Sequence, residues 1–227
     1  MKQTNSPIVP ALGVVATLGI LATVWGVFVA TPMDRNLFYS QKIFYYHLPN
    51  AFMLFLSVFV CGIASIGVLK RRDSKWDDVA LAAAELSVLY GAIVLATGSI
   101  WARAAWGHWW IWEPRLMSSL VLWLIMVGYV LLRRFAGPGS ERLAAGLAVF
   151  GMVDVPLIYY GVKQGDAHPQ ATVVQALTGT MKLTLWGSVL SFFFLFLALL
   201  LHRVQVAAAE RETRELRERA LDAGLFA

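Results

Sequence analysis

Cysteine, histidine and charge are all scarce in this chain, and each scarcity closes off a class of chemistry. The one cysteine, Cys61, lies in an apolar run. There is therefore no disulfide framework, no paired-thiol redox motif and no Cys-x-x-Cys-His for covalent haem attachment. Four histidines, with no cluster of cysteines and carboxylates around them, do not make a zinc site. Charged residues are only 15% of the 227, whereas 59% are hydrophobic. A soluble domain ordinarily carries about 25% charged residues. What is left is a chain built to sit in hydrocarbon.

Six apolar stretches are long enough to cross about 30 Å of hydrocarbon, which takes roughly 20 helical residues. They run approximately over 8–30, 48–69, 79–101, 116–132, 143–162 and 183–201. The first exceeds a signal-peptide core and has no convincing small-residue cleavage site after it, so it reads as a retained anchor. The expected fold is an all-α integral membrane protein of six transmembrane helices over 1–201, with a charged helical tail over 202–227. Of the 19 lysines and arginines, thirteen fall on the side of the N-terminus and six on the other. Basic residues stay on the cytoplasmic side, which gives an N-in, C-in topology. The formal charge of +5 is then a topology signal addressed to membrane lipid, not to nucleic acid. The connections between spans 1 and 2, 3 and 4, and 5 and 6 face outward.

The outward connection between spans 3 and 4 reads WARAAWGHWWIWEPR over 101–115, with Trp101, Trp106, Trp109, Trp110 and Trp112 inside twelve positions. An interfacial aromatic belt spreads indoles around a bundle, and Trp25, Trp76, Trp123 and Trp186 suit a belt or packing. Five rings in one loop suit a platform for a large planar apolar ligand. Helical spacing would put Trp106, Trp109, Trp110 and Glu113 on one face and Trp101, His108 and Trp112 on another. Gly107 argues against a single unbroken helix. Glu113 followed by Pro114 marks the start of span 4, with proline at its favoured first position. Arg103 and Arg115 suit a clamp on ligand carboxylates, and interfacial snorkelling explains each nearly as well.

His47 lies in QKIFYYHLPNAF just ahead of span 2. Pro49 in the first turn would set the imidazole beside the helix's positive end, which favours the neutral, metal-binding form. His168 lies in GDAHPQ between spans 5 and 6, with Asp166 as a candidate hydrogen-bond partner for a ligating ring. Two imidazoles on the side of a tryptophan platform suggest haem, whose iron takes two axial ligands. His108 reads as an exposed polar position and His202 as interfacial. Asp154, near the middle of span 5 with Pro156 beside it, is costly unless protonated, paired or facing a cavity. Glu85 reads as interfacial or helix-pairing. The tail has opposite charges four apart at Glu210 and Arg214, Arg211 and Glu215, and Glu215 and Arg219, so it should continue span 6 as a solvated helix.

The segment TGSIWARAAWGHWWIWEPRL, residues 97–116, resembles the tryptophan-rich signature of the haem-handling proteins of cytochrome c maturation. QKIFYYHLPNAF resembles the histidine segment that precedes it. In size, six spans and two outer histidines the chain is similar to the haem exporter protein C branch; the larger cytochrome c haem lyases have more spans and histidines. The resemblance implies a bacterial inner-membrane protein that presents transiently bound haem b at the periplasmic face. Trp101, Trp106, Trp109, Trp110 and Trp112 would hold the macrocycle with Glu113 and Arg115 beside it, and His47 and His168 would be the axial ligands. It further implies delivery to a periplasmic haem chaperone, which becomes linked to haem through a histidine and a vinyl group. An ABC transporter and a small membrane subunit take part in releasing the loaded chaperone. The chemistry would belong to haem and chaperone, with this chain supplying orientation and electrostatics.

Position 113 is glutamate where the family usually has aspartate, position 154 is aspartate where asparagine is common, and the His168 loop is richer in glycine and alanine. A b-type cytochrome subunit for electron transfer would place ligand histidines within its spans, and none lies mid-span. A transmembrane haem transporter would need a polar or broken path at the midplane, for which Asp154 and Pro156 are the only hint. A purely structural subunit leaves the loop tryptophans and both histidines unexplained.

Overall fold

The computed structural model describes residues 7–34, 38–71, 73–137, 139–164 and 177–224, with 161–164 through the backbone alone. Helix α1 (Ile8–Trp25) runs on through a π turn (Gly26–Ala30), and a 3-10 turn (Tyr39–Ile43) leads into α2 (Phe44–Arg71). Then come α3 (Ser74–Trp106), α4 (Pro114–Phe135), α5 (Ser140–Gln164) and α6 (Gly179–Asp222). All six are long and apolar enough to cross a membrane. In hydrocarbon a helix satisfies its own backbone groups, so apolar residues such as Val14, Leu18, Leu21 and Trp25 on an outer face are the expected surface for lipid.

Helix α2 is central, packing on α3, α5 and α6, while α4 leans on α3 and α5 and α1 on α6. The main core joins Leu54 and Val58 of α2, Tyr90 of α3, Met126 and Tyr129 of α4 and Phe196 of α6. A smaller core at the tryptophan end joins Val27, Phe44, Tyr45, Trp101, Met181 and Leu185. Small side chains set the α1/α6 approach, Gly19 facing Ser191 and Gly26 facing Thr184, as membrane helix pairs favour.

Two boundaries differ from the sequence reading, each for a physical reason. The second helix starts at Phe44, so His47 lies within its first turn and Pro49 in its interior. Proline has no N–H for the carbonyl four residues earlier, which ordinarily breaks a helix. Here the Ser188 hydroxyl of α6 donates to that carbonyl, Tyr45 O, at 2.7 Å, and the helix runs through. The third helix extends to Trp106, then stops at Gly107, whose φ of 79° is left-handed and free of steric cost only for glycine.

The helix ends remote from the tryptophans are tied by ion pairs. Glu85 of α3, expected to be interfacial or helix-pairing, receives Arg203 of α6 and, at 3.0 Å, Arg134 of α4. Arg133 joins Asp77 of α3 and, at 3.1 Å, Glu141 of α5. Arg211 reaches Asp78 at 2.9 Å and Glu215 at 3.3 Å, whereas Glu210 turns back to Arg203 at 3.2 Å. These contacts hold the far half of the 44-residue α6, about 66 Å long at 1.5 Å per residue, against α3. Asp154 Oδ2 is buried without a hydrogen-bond partner among the described residues.

Candidate functional site

The smaller core underlies the place where the first turn of α2, the last turns of α3 and the start of α4 meet. A buried lysine anchors its edge. Lys42 Nζ donates to Thr31 O at 2.9 Å, Thr31 Oγ1 at 2.6 Å and Pro32 O at 3.1 Å. All three ammonium protons are thereby used, and the connection after α1 is pinned to the lead-in of α2.

His47 is buried and gripped by α3. Its Nδ1 lies 2.9 Å from Thr97 Oγ1, and its ring meets Trp101 edge-on with centroids 6.0 Å apart. A Cβ at Gly98 would lie 3.2 Å from His47 Cε1, so the bare glycine is what lets the imidazole sit against the helix. The setting of His47 thus comes from α3 as much as from the helix end that the sequence pointed to. Among the described residues, the hydrogen bond to Thr97 is the only one its side chain makes.

The five tryptophans are not equivalent. Trp101 is 3% exposed, whereas Trp106, Trp109 and Trp112 are 39%, 59% and 78% exposed. Trp101 packs on Phe44 at 6.1 Å and passes the contact outward to Trp106 at 6.0 Å. Beyond Gly107 the chain is irregular to Glu113. The helical spacing that would align Trp106, Trp109, Trp110 and Glu113 therefore does not exist, because the left-handed glycine ends the helix first. Trp110 instead meets Trp112 edge-on at 6.2 Å. Large rings exposed side by side leave apolar area that a flat ligand would cover.

Arg103 is engaged at the end of α3, its guanidinium donating to Gly107 O, so it stiffens the turn. Arg115 is partly buried in the first turn of α4 and lies within electrostatic reach of both His47 and Glu113. Glu113 is the N-cap of α4 with Pro114 after it, and its carboxylate makes no capping hydrogen bond. His108 is half-buried and His202 exposed. His168 and Asp166 lie outside the described residues.

The arrangement fits a haem on observations independent of any likeness. A buried imidazole keeps one nitrogen without a hydrogen-bond partner among the described residues, and its neighbour Trp101 leads outward to the partly exposed Trp106. Tyr46 OH, Asn50 Oδ1, Trp110 Nε1 and Arg115 Nη1 at this end are buried without a hydrogen-bond partner among the described residues. Buried polar atoms left without a partner are rare in a finished site. Among the described residues no three His, Cys, Asp or Glu side chains gather as for a metal ion held by protein alone.

Comparison with known proteins places these features. The family model described as Heme exporter protein C matches residues 1–219. Heme exporter protein C of Bradyrhizobium diazoefficiens is 33% identical over 195 residues, covering 82% of this chain and 73% of that protein. The protein of that name from Escherichia coli (strain K12) is 33% identical over 193 residues, 78% of this chain and 74% of its own. That of Paracoccus denitrificans is 32% identical over 224 residues, 94% and 92%.

Proposed function

The chain belongs to the heme exporter protein C family, and from that premise we propose that it holds haem at the outer face of the membrane for delivery to another protein. Membership carries a role in haem handling for cytochrome c maturation, and the six helices are those of a multi-pass membrane protein. The finer reading is that the tryptophan end faces the periplasm of a bacterial inner membrane, as the thirteen-to-six split of basic residues favours. The recipient is then a periplasmic haem chaperone. An ABC transporter and a small membrane subunit are the partners that release it loaded.

The observation that carries the proposal is a buried, oriented His47, its Nε2 without a hydrogen-bond partner among the described residues, packed on Trp101, which in turn meets the partly exposed Trp106. His47 supplies one axial nitrogen, and His168 is proposed for the other. Trp109, Trp110 and Trp112 cover one side of the macrocycle, with Trp106 and Trp101 behind them. Arg115, whose Nη1 has no hydrogen-bond partner among the described residues, offers it to a propionate, with the Glu113 charge within electrostatic reach of the guanidinium. Bound haem b would supply the iron that the imidazoles hold and the vinyl group through which the recipient becomes linked. The side chains of this protein orient the haem and leave an edge open.

The test is the absorption spectrum and haem content of the purified protein beside the His47→Ala, His168→Ala double variant. A bis-histidine-like spectrum lost or altered in the variant is expected. Unchanged haem content and spectrum would overturn the axial assignment.

A further inference from the structure

Thr97 is not one of the residues proposed to touch haem, yet it makes the only hydrogen bond to the His47 side chain among the described residues, at 2.9 Å. Its hydroxyl has one proton. Thr97 Oγ1 also lies 2.7 Å from Ile93 O, one helical turn back, and 3.3 Å from Val94 O. If the hydroxyl donated to His47 Nδ1, the 2.7 Å contact would set two oxygen lone pairs against each other. If it donates to Ile93 O, as threonines in helices commonly do, its own lone pair faces His47 and both contacts are satisfied together. That requires a proton on His47 Nδ1.

We infer that Thr97 is a positioning residue: its hydroxyl accepts from His47 Nδ1–H, fixes that tautomer and leaves the Nε2 lone pair for an axial bond to haem iron. The ring is restrained on two sides. Trp101 bounds it edge-on and the α3 backbone at Gly98 stands against Cε1, where even a Cβ would come within 3.2 Å. The histidine side chain free in water favours the opposite tautomer, with the proton on Nε2, which then has no lone pair to give. Thr97 and Gly98 therefore act as one device on successive residues of α3. The first chooses the nitrogen that carries the proton, and the second makes room for the ring. The inference rests on His47 being a ligand, and the experiment separates the two.

Full-length protein with 15N-labelled histidine, haem-free and in lipid nanodiscs, reports the tautomer through the pattern of ring nitrogen couplings, the His47→Ala variant assigning the signal. The expected wild-type pattern is a protonated Nδ1 and a bare Nε2 for His47. Thr97→Val, which keeps the shape and removes the acceptor, should move the population to the Nε2–H form, and Thr97→Ser should restore the wild-type pattern. An Nε2–H signal in the wild type, or a Thr97→Val spectrum identical to it, overturns the inference whether or not haem binds. Haemin titrated into the same samples should bind Thr97→Val about tenfold more weakly and Thr97→Ser within about twofold of wild type, as for lost partners of metal-bound histidines. A tautomer that shifts as expected with no change in haemin affinity would leave Thr97's role standing and overturn His47 as a ligand.

Discussion

The passage of α2 through Pro49 makes a prediction that isolates one hydrogen bond. Tyr45 O would be served by the N–H at position 49 in any other helix; here the Ser188 hydroxyl serves it at 2.7 Å, from a helix 143 residues away in sequence. Ser188→Ala leaves that buried carbonyl bare. An unsatisfied buried acceptor costs about 1–3 kcal/mol, but single interhelical hydrogen bonds in membranes average about 0.6 and reach about 1.7. The lost oxygen leaves almost no cavity, so about 1 kcal/mol is expected, a roughly fivefold change in the unfolding equilibrium. Pro49→Ala restores an N–H aimed at Tyr45 O. Ser188→Ala should then cost close to nothing in the Pro49→Ala background, a coupling of about 1 kcal/mol. Reversible unfolding in mixed micelles, followed by tryptophan fluorescence, measures all four corners of the cycle. Equal losses from Ser188→Ala in both backgrounds, within the ~0.3 kcal/mol over which independent sites add, would refute the account. The helix would then pass Pro49 for another reason.

Two further predictions use the same unfolding measurement. Trp101→Ala, from a ring 3% exposed, should destabilise by about 3–5 kcal/mol, whereas Trp109→Ala and Trp112→Ala should stay within about 0.5 kcal/mol and yet lower haem retention. Normal haem retention in both outer variants would remove the platform from the proposal. Glu85→Gln withdraws the charge facing Arg134 and Arg203. The Glu85 and Arg203 side chains keep 17% and 19% of their exposure, so the loss should fall between a surface pair and a sealed one, about 1–3 kcal/mol. If added salt erased the difference from wild type, solvent would be screening the network.

The six spans were legible because each is a run of some twenty apolar residues, and in hydrocarbon no alternative to a helix competes with it. The start of α2 was not, because the decisive donor is Ser188 and no local pattern around Pro49 announces it. The five tryptophans look alike in sequence. Trp101 is separated from the rest by its position in the last turns of α3, where Phe44 and His47 close over it. Gly107 carried a readable warning that helical spacing would end, and the helix does end there. Thr97 and Gly98 open the segment TGSIW, and neither residue type announces a histidine partner. The available clue was that Thr97 precedes Trp101 by four residues and so shares its helical face. The seven residues from Gly107 to Glu113 follow no period, so which rings meet and which stay open is decided only in three dimensions.

That division between fixed and open parts bears on how a carrier can both hold and release its cargo. The end proposed to ligate is fixed: His47 is buried, hydrogen-bonded and packed against α3, so little orientational freedom would be lost on binding. The platform end is open, with Trp109 and Trp112 more than half exposed, so on the proposed function a ring lying on them keeps an edge reachable. Enclosing the macrocycle fully would add apolar area and tighten binding, but it would also hide the edge that a recipient must reach. On the proposed function, the selectivity of this site comes from the rigid nitrogen and its lability from the incomplete cover. A loop packed down over its own tryptophans would be a store for haem, and the exposed one seen here suits a point of transfer.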